Sequence, residues 1–166
     1  MAQEITSQSL KVGDHIPDFF ANDQDGQLWS LSEHLQRGPV ILYFYPAAMT
    51  GGCTLQACHY RDALSHFEKL DVTVAGISGD PVQNLKWFSE AYGLNFKLLS
   101  DVNAHIARLF GLEIKTGGSV PQTVAGKDVI LNRPFTFSRW TFVLNQKGEI
   151  VYLKKGVNPA EDSEDV

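Results

Sequence analysis

The sequence predicts an α/β domain with a mixed central β-sheet flanked by helices. Residues 40–45 form an unbroken apolar run, which is typical of a strand buried on both faces. From this run to about residue 111, segments with strand character alternate with segments of helical spacing, as in a sheet with parallel strands. Residues 140–144 and 149–153 then read as an antiparallel hairpin, which makes the predicted sheet mixed.

The first forty residues predict a hairpin that extends the sheet at its N-terminal end. Residues 12–19 read as a turn leading into an edge segment, where proline is tolerated. Residues 22–26 form a turn cluster, and residues 27–30 a short returning strand. A brief helix is expected over residues 31–36, capped by Ser30 or Ser32.

The middle of the chain predicts three helices and two further strands. Apolar side chains recur at steps of three and four over residues 53–70, which indicates a helix. A strand over residues 72–78 leads to a helix that Asp80-Pro81 opens and Gly93 ends after Tyr92. A strand over residues 96–99 and a short helix over residues 102–110 follow.

Three segments are harder to interpret. Residues 112–138 mix glycine, proline and threonine, and the only element predicted there is a strand at residues 129–131. Residues 1–10 read as a polar arm, and residues 159–166 as the acidic start of a C-terminal helix that is cut short. Residues 1–166 are together expected to form a single domain, since this length is ordinary for one hydrophobic core.

Composition excludes several functions. The net charge is −5 and lysine and arginine form no block, so no nucleic-acid partner is expected. No apolar stretch approaches the roughly 18–20 residues needed to cross a bilayer, which excludes a membrane partner. The N-terminus lacks the basic start and apolar core of a secretory signal, so the predicted location is cytoplasmic. Two cysteines in such a chain indicate catalysis or metal binding more often than a structural disulfide.

The first cysteine is placed for nucleophilic chemistry. Pro46 ends the buried strand, and a short loop brings Cys53 into the first turn of the next helix. The unpaired N–H groups and positive dipole end of a helix N-terminus favour an anion, and the thiolate is the nucleophilic form of cysteine. Cys58 lies five residues further along. Helix geometry separates the two Cα atoms by roughly 8.6 Å, whereas a disulfide needs less than about 7 Å.

These residues resemble the active-site signature of the peroxiredoxins, Tyr45-Pro46-x-x-x-Thr50-x-x-Cys53. The flanking residues, Phe44 before the signature and Cys53-Thr54-x-x-Ala57-Cys58-x-x-Arg61-Asp62 after it, are similar to the subfamily of bacterioferritin comigratory protein, also called peroxiredoxin Q. The resemblance extends from residue 12 to residue 148. It implies a thioredoxin-like fold and the reduction of hydrogen peroxide and organic hydroperoxides. Gly51 and Gln56 depart from the pattern, which commonly has proline and glutamate there.

Peroxide reduction requires a thiolate that displaces one oxygen of the O–O bond, together with donors for the leaving oxygen. The Thr50 hydroxyl and the backbone N–H groups of Gly52 and Cys53 are candidates for orienting the thiolate and the peroxide, while Pro46 would shield the pocket from water. No metal or organic cofactor is expected.

A fixed positive charge should complete the site, because it stabilises the thiolate and the developing negative charge. Spacing does not choose among the five arginines, which are Arg37, Arg61, Arg108, Arg133 and Arg139. The resemblance assigns the role to Arg139, at the start of a strand, with Arg133 as the fallback.

The resemblance also implies a catalytic cycle. Cys53 becomes a sulfenic acid, the helix unwinds, and Cys58 condenses with Cys53 in an intramolecular disulfide that thioredoxin or a similar dithiol reduces. The protein is expected to be a monomer or a weak dimer. Two alternatives stay open: a thioredoxin-like thiol–disulfide oxidoreductase, which would favour a C-x-x-C pair, and a non-catalytic metal-binding module of Cys53, Cys58 and His59.

Overall fold

The computed structural model describes residues 10–166, which fold around a seven-stranded sheet. The strands are β1 Phe20–Asp23, β2 Leu28–Ser30, β3 Val40–Phe44, β4 Thr73–Ser78, β5 Lys97–Ser100, β6 Ile114–Val124, β7 Lys127–Phe137, β8 Trp140–Leu144 and β9 Ile150–Lys155. The helices are α1 Leu31–Leu35, α2 Gly51–Lys69, α3 Val82–Tyr92, α4 His105–Leu109 and α5 Asp162–Asp165.

The sheet is mixed, as predicted. Its strand order is β2-β1-β5-β4-β3-β8-β9, and β3, β4 and β5 run parallel. β8 runs antiparallel to β3 and forms the predicted hairpin with β9, while the antiparallel pair β1–β2 extends the other edge. The N-terminal hairpin is therefore confirmed, although its first strand begins at Phe20 and the preceding residues contribute one bridge, from His15 to Glu149.

Strand β3 lies at the centre and is buried along its whole length. Its alternate side chains enter two different hydrophobic cores, because successive residues of a strand point to opposite faces. Leu42 and Phe44 belong to the core that α1 and α4 cover, and Ile41 and Tyr43 to the core under α2 and α3. The prediction of a strand buried on both faces is confirmed. Because β3 is buried in this way, the loop that follows it begins at a fixed position.

The helices lie where the sequence predicts them, but some of their first and last residues differ from the prediction. α2 begins at Gly51, two residues before the predicted start, so Cys53 is its third residue. α3 follows Pro81 and ends at Gly93, whose positive φ of 58° terminates the helix as expected. α4 is shorter than predicted because the Asp101 carboxylate accepts hydrogen bonds from the N–H groups of Ile106 and Ala107 and so caps a later start.

Residues 112–138 are the main correction to the predicted fold. They form a long two-stranded ribbon, β6–β7, whereas the sequence predicts a strand only at residues 129–131. Ala125 and Gly126 close the ribbon with positive φ angles of 51° and 78°, as a two-residue hairpin turn requires. β6 is mostly exposed and so lacks the alternation of apolar and polar residues that identifies a half-buried strand, whereas in β7 the buried Arg133 interrupts that alternation.

The C-terminal segment contains a single short turn of helix, α5, which begins three residues later than predicted. Backbone bonds from Glu161 and Asp162 to the Asn158 carbonyl start this turn. Residues 1–9, which include nearly all of the predicted polar arm, lie outside the described residues. Within the described part of the chain, no helix combines the length and apolar character needed to cross a membrane.

Candidate active site

The predicted nucleophile lies where the central strand gives way to the longest helix. The chain leaves β3 and passes through residues 45–50, and α2 then carries the Cys53 side chain into the core, where it is 1% exposed. The N–H group of Thr54 bonds to the Thr50 carbonyl. Those of Gly52 and Cys53 have no acceptor within residues 10–166. The thiol therefore shares the helix N-terminus with unused backbone donors, which favours an anion there.

Arg139 supplies the positive charge beside this thiol. Its Nη2 atom lies 3.4 Å from Cys53 Sγ, and its Nη1 donates a 2.7 Å hydrogen bond to Gln56 Oε1. Sheet topology explains the approach across 86 residues of sequence. Because β8 runs antiparallel to β3, pairing Trp140 with Phe44, the residue before β8 lies at the carboxyl end of β3, where α2 begins.

Gly52 leaves the space through which the guanidinium reaches the thiol. A Cβ atom at Gly52 would lie 3.0 Å from Arg139 Nη2 and 3.5 Å from Pro159 Cγ. A Cβ at the neighbouring Gly51 would meet no atom within 4 Å. The two glycines are therefore not equivalent, and only Gly52 is required for a close approach.

We expect Gly52→Ala to slow the oxidation of Cys53 by peroxide by up to roughly tenfold, because a displacement of a few tenths of an ångström weakens the contact of Arg139 with the sulfur. Gly51→Ala is the matched control. It should leave the oxidation rate unchanged and should slow the later disulfide step by about two- to fivefold, since alanine stabilises a helix by roughly 0.5–1 kcal/mol over glycine. Stopped-flow fluorescence would separate the two steps. Equal effects of both substitutions on the first step would contradict this reading of the geometry.

The loop before α2 is held by a buried ion pair. Arg133 Nε lies 2.7 Å from Asp80 Oδ1, and the two side chains are 5% and 0% exposed. Asp80 Oδ2 accepts the Ala48 N–H at 2.8 Å, and Arg133 Nη2 donates to the Ala48 carbonyl at 3.1 Å. Both backbone groups of Ala48 are thus fixed next to Met49, whose φ of 68° is uncommon for a residue with a side chain. Arg133 therefore forms an ion pair with Asp80, whereas Arg139 contacts Cys53.

Thr50 and Pro46 lie on the loop that leads to Cys53. Thr50 occupies the N-cap position of α2, but its side chain makes no capping hydrogen bond. Its hydroxyl instead donates to the Ala47 carbonyl at 2.8 Å. The exposed hydroxyl keeps its lone pairs available to a ligand. Pro46 is half-buried in the same loop.

Cys58 lies about 1.4 turns beyond Cys53 along α2. It is half-buried, whereas Cys53 is buried, and both thiols are free. With α2 intact the two cysteines are therefore not bridged, in agreement with the helix geometry. Residues 10–166 contain no group of three or more His, Cys, Asp or Glu side chains arranged to hold a metal ion, so the geometry gives no support to a metal module of Cys53, Cys58 and His59.

Two residues of this site were missed by sequence reasoning. Gln56, noted only as a departure from a pattern, is fully buried and bonds to both Arg139 and Asp162. Asp162, on the acidic tail, is also fully buried and accepts a 2.6 Å hydrogen bond from Tyr60. Burial, followed by the charge of Asp162, raises the pKa of Tyr60 well above its ordinary value, so Tyr60 stays a donor.

Comparison with known proteins agrees with this geometry. Residues 12–153 match the family model described as the AhpC/TSA family. A relative named "Peroxiredoxin Q, chloroplastic" from Oryza sativa subsp. japonica is 38% identical over 149 residues, which cover 90% of this chain and 61% of the rice protein.

Two solved structures share the fold. Peroxidoxin BcpB from Mycobacterium tuberculosis has a TM-score of 0.78 at 33% identity, covering 94% of this chain and 93% of its own. The bacterioferritin comigratory protein of Xanthomonas campestris, whose structure is described in terms of alkyl peroxide reduction activity, has a TM-score of 0.72 at 25% identity, covering 89% of this chain and 86% of its own. The thioredoxin-like fold is thus confirmed. The chain belongs to the AhpC/TSA family and is a peroxiredoxin, a thiol peroxidase.

Proposed function

We propose that this peroxiredoxin reduces hydrogen peroxide and organic hydroperoxides through Cys53 and resolves the product with Cys58 of the same chain. The observation that carries the proposal is the contact of 3.4 Å between Arg139 Nη2 and Cys53 Sγ at the N-terminus of α2. A guanidinium and the helix dipole both stabilise a thiolate, and a thiolate is what attacks an O–O bond.

In the first step the Cys53 thiolate attacks the terminal peroxide oxygen. A sulfur–oxygen bond forms as the O–O bond breaks, so Cys53 becomes a sulfenic acid, and the leaving oxygen takes a proton to become water or an alcohol. Arg139 lies against the reacting sulfur, and the N–H groups of Gly52 and Cys53 belong to the same helix turn; together they can stabilise the developing negative charge. The Thr50 hydroxyl, already donating to Ala47, can accept a hydrogen bond from the peroxide O–H.

In the second step the Cys58 thiol condenses with the sulfenic acid, forming the disulfide and releasing water. Two cysteines five residues apart on a helix are about 8.6 Å apart at Cα, so the turn between them must leave helical geometry. The glycine pair at the start of α2 lowers the cost of this local unfolding. Cys58 is half-buried, which makes it more accessible than Cys53 to an external reductant.

In the third step a dithiol reductant of the thioredoxin class reduces the disulfide by exchange, and the reductant leaves as a disulfide. Organic hydroperoxides are included as substrates because the comparable protein of Xanthomonas campestris is described by its alkyl peroxide reduction activity. The cytoplasmic location and the monomeric or weakly dimeric state stay predictions. The rice relative is chloroplastic by name.

Peptide mapping after a single oxidation tests the proposal. Reduced protein is mixed with one equivalent of hydrogen peroxide, remaining thiols are alkylated, and the digest is analysed without reductant. We expect a cross-link between Cys53 and Cys58 within one chain, removed by thioredoxin. A chain-to-chain dimer would contradict intramolecular resolution. Two intact thiols with the peroxide unconsumed would contradict the peroxidase activity itself.

A further inference from the structure

The C-terminal turn carries a carboxylate that is buried beside the active site. Asp162, the first residue of α5, is 0% exposed. Its Oδ2 atom accepts three hydrogen bonds, from Gln56 Nε2 at 3.0 Å, Tyr60 Oη at 2.6 Å and Thr141 Oγ1 at 2.7 Å. Its Oδ1 atom is buried and has no partner within residues 10–166. Burying a carboxylate with one oxygen unpaired costs free energy. Attachment of the four-residue helix α5 to the domain is therefore a poor explanation for the burial of Asp162.

The hydrogen bond to Gln56 fixes the direction of that side chain. A glutamine amide has one accepting oxygen and one donating nitrogen, and rotation by half a turn exchanges them. A carboxylate accepts only, so Asp162 holds the nitrogen on its own side, at 3.0 Å. The oxygen must then face Arg139, which donates only, at 2.7 Å. Without Asp162, the reversed amide would turn its donors toward the guanidinium and repel it.

Gln56 in turn anchors the guanidinium at the thiol. Of the two terminal nitrogens of Arg139, Nη1 bonds to Gln56 and Nη2 lies 3.4 Å from Cys53 Sγ. Because the guanidinium is planar and rigid, fixing Nη1 fixes the direction of Nη2. The polar contacts therefore run without interruption from Asp162 through Gln56 and Arg139 to the reacting sulfur.

We propose that Asp162 is a positioning residue of the peroxidase site, which orients Gln56 and thereby holds Arg139 against Cys53. Asp162 then supports the active site from the C-terminal turn, although it lies 109 residues from Cys53 in sequence. The inference rests on the proposed role of Arg139 at the thiol. Asp162 touches neither the thiol nor the peroxide and acts only through its contact with Gln56.

The first test compares Asp162→Ala, Asp162→Asn and Asp165→Ala by the rate of Cys53 oxidation. Asp162→Ala should slow the reaction by roughly 3- to 10-fold, which is a part of what a hydrogen bond to a charged group contributes. Asp162→Asn keeps an accepting oxygen and should recover most of the rate. Asp165→Ala removes only the exposed contact with Lys154, on the same turn, and should match the wild type.

A charge exchange gives a second test that retains buried polar groups at both positions. Gln56→Glu alone places two carboxylates at the present separation of 3.0 Å and should slow the reaction. Adding Asp162→Asn removes the second charge and lets an amide N–H face the carboxylate at position 56. It should restore part of the rate, because the hydroxyls of Tyr60 and Thr141 then lose the oxygen that accepts from them. Circular dichroism of each variant shows whether it is folded.

The outcomes separate this inference from the proposed function. If the wild type oxidises rapidly and Asp162→Ala has the same rate, Asp162 is not a positioning residue. A double variant as slow as Gln56→Glu alone would overturn the inference even if Asp162→Ala failed to fold. If the wild type itself does not consume peroxide, the proposed function fails instead.

Discussion

Replacing Cys53 by serine should reduce peroxide consumption to the rate of the buffer, while replacing Cys58 should leave one complete turnover. The serine hydroxyl is not ionised at neutral pH and cannot act as the nucleophile, although it fits the same buried position, 1% exposed in the wild type. Cys58→Ser keeps Cys53 beside Arg139 and so keeps the first oxidation. It removes the thiol that condenses with the sulfenic acid, so cycling with thioredoxin should stop.

Rapid mixing and intact-mass measurement separate these two effects. After one equivalent of peroxide, the Cys58→Ser protein should carry a single added oxygen on Cys53, whereas the wild type should have lost two hydrogens. A Cys58→Ser protein that cycles with thioredoxin at the wild-type rate would exclude Cys58 as the resolving residue. A Cys53→Ser protein that still consumes peroxide through Cys58 would reverse the assignment.

Replacing Arg139 by alanine should slow the oxidation of Cys53 by one to a few orders of magnitude. The guanidinium lies within hydrogen-bonding distance of the sulfur, and each tenfold in rate corresponds to about 1.4 kcal/mol of lost stabilisation. Stopped-flow measurement with excess peroxide gives the rate constant of this step.

Arg133→Ala is the informative comparison for Arg139→Ala, since both arginines make contacts near the loop between β3 and α2. Its loss leaves the buried Asp80 without its cation, which should destabilise the fold by about 3–5 kcal/mol. Its effect on oxidation should be smaller than that of Arg139→Ala at temperatures where both variants are folded. Arg108→Ala, on α4, should behave as the wild type. An unaltered Arg139→Ala together with a severely slowed Arg133→Ala would show that the wrong arginine was assigned.

The predictable parts of this protein are those whose signal is local in sequence. β3 was evident because burial on both faces leaves a continuous apolar run, and α2 because its buried side chains recur at helical spacing. Placing Cys53 at the helix N-terminus followed from these two elements alone. The ribbon β6–β7 gave no comparable signal, because β6 is mostly exposed and the buried Arg133 interrupts the apolar side of β7.

The parts that could not be predicted depend on contacts between distant segments. Spacing did not choose among the arginines, and Arg139 could be chosen only through a resemblance; in the fold its position depends on the register of β8 against β3. Asp162 reads in sequence as one of several acidic tail residues, and nothing local marks it as the one that is buried. Gln56 likewise acquires its role only once Arg139 and Asp162 meet it from two other elements.

Hydrogen exchange in the reduced and the fully oxidised protein tests most directly the claim that peroxide reduction is coupled to unfolding of α2. We expect the oxidised protein to contain the Cys53–Cys58 disulfide, to lose helical content and to exchange amide hydrogens faster across about residues 51–62, because the disulfide cannot form on an intact helix. The central strands β3, β4 and β8 should keep their protection. An intramolecular disulfide with unchanged protection over residues 51–62 would contradict this account.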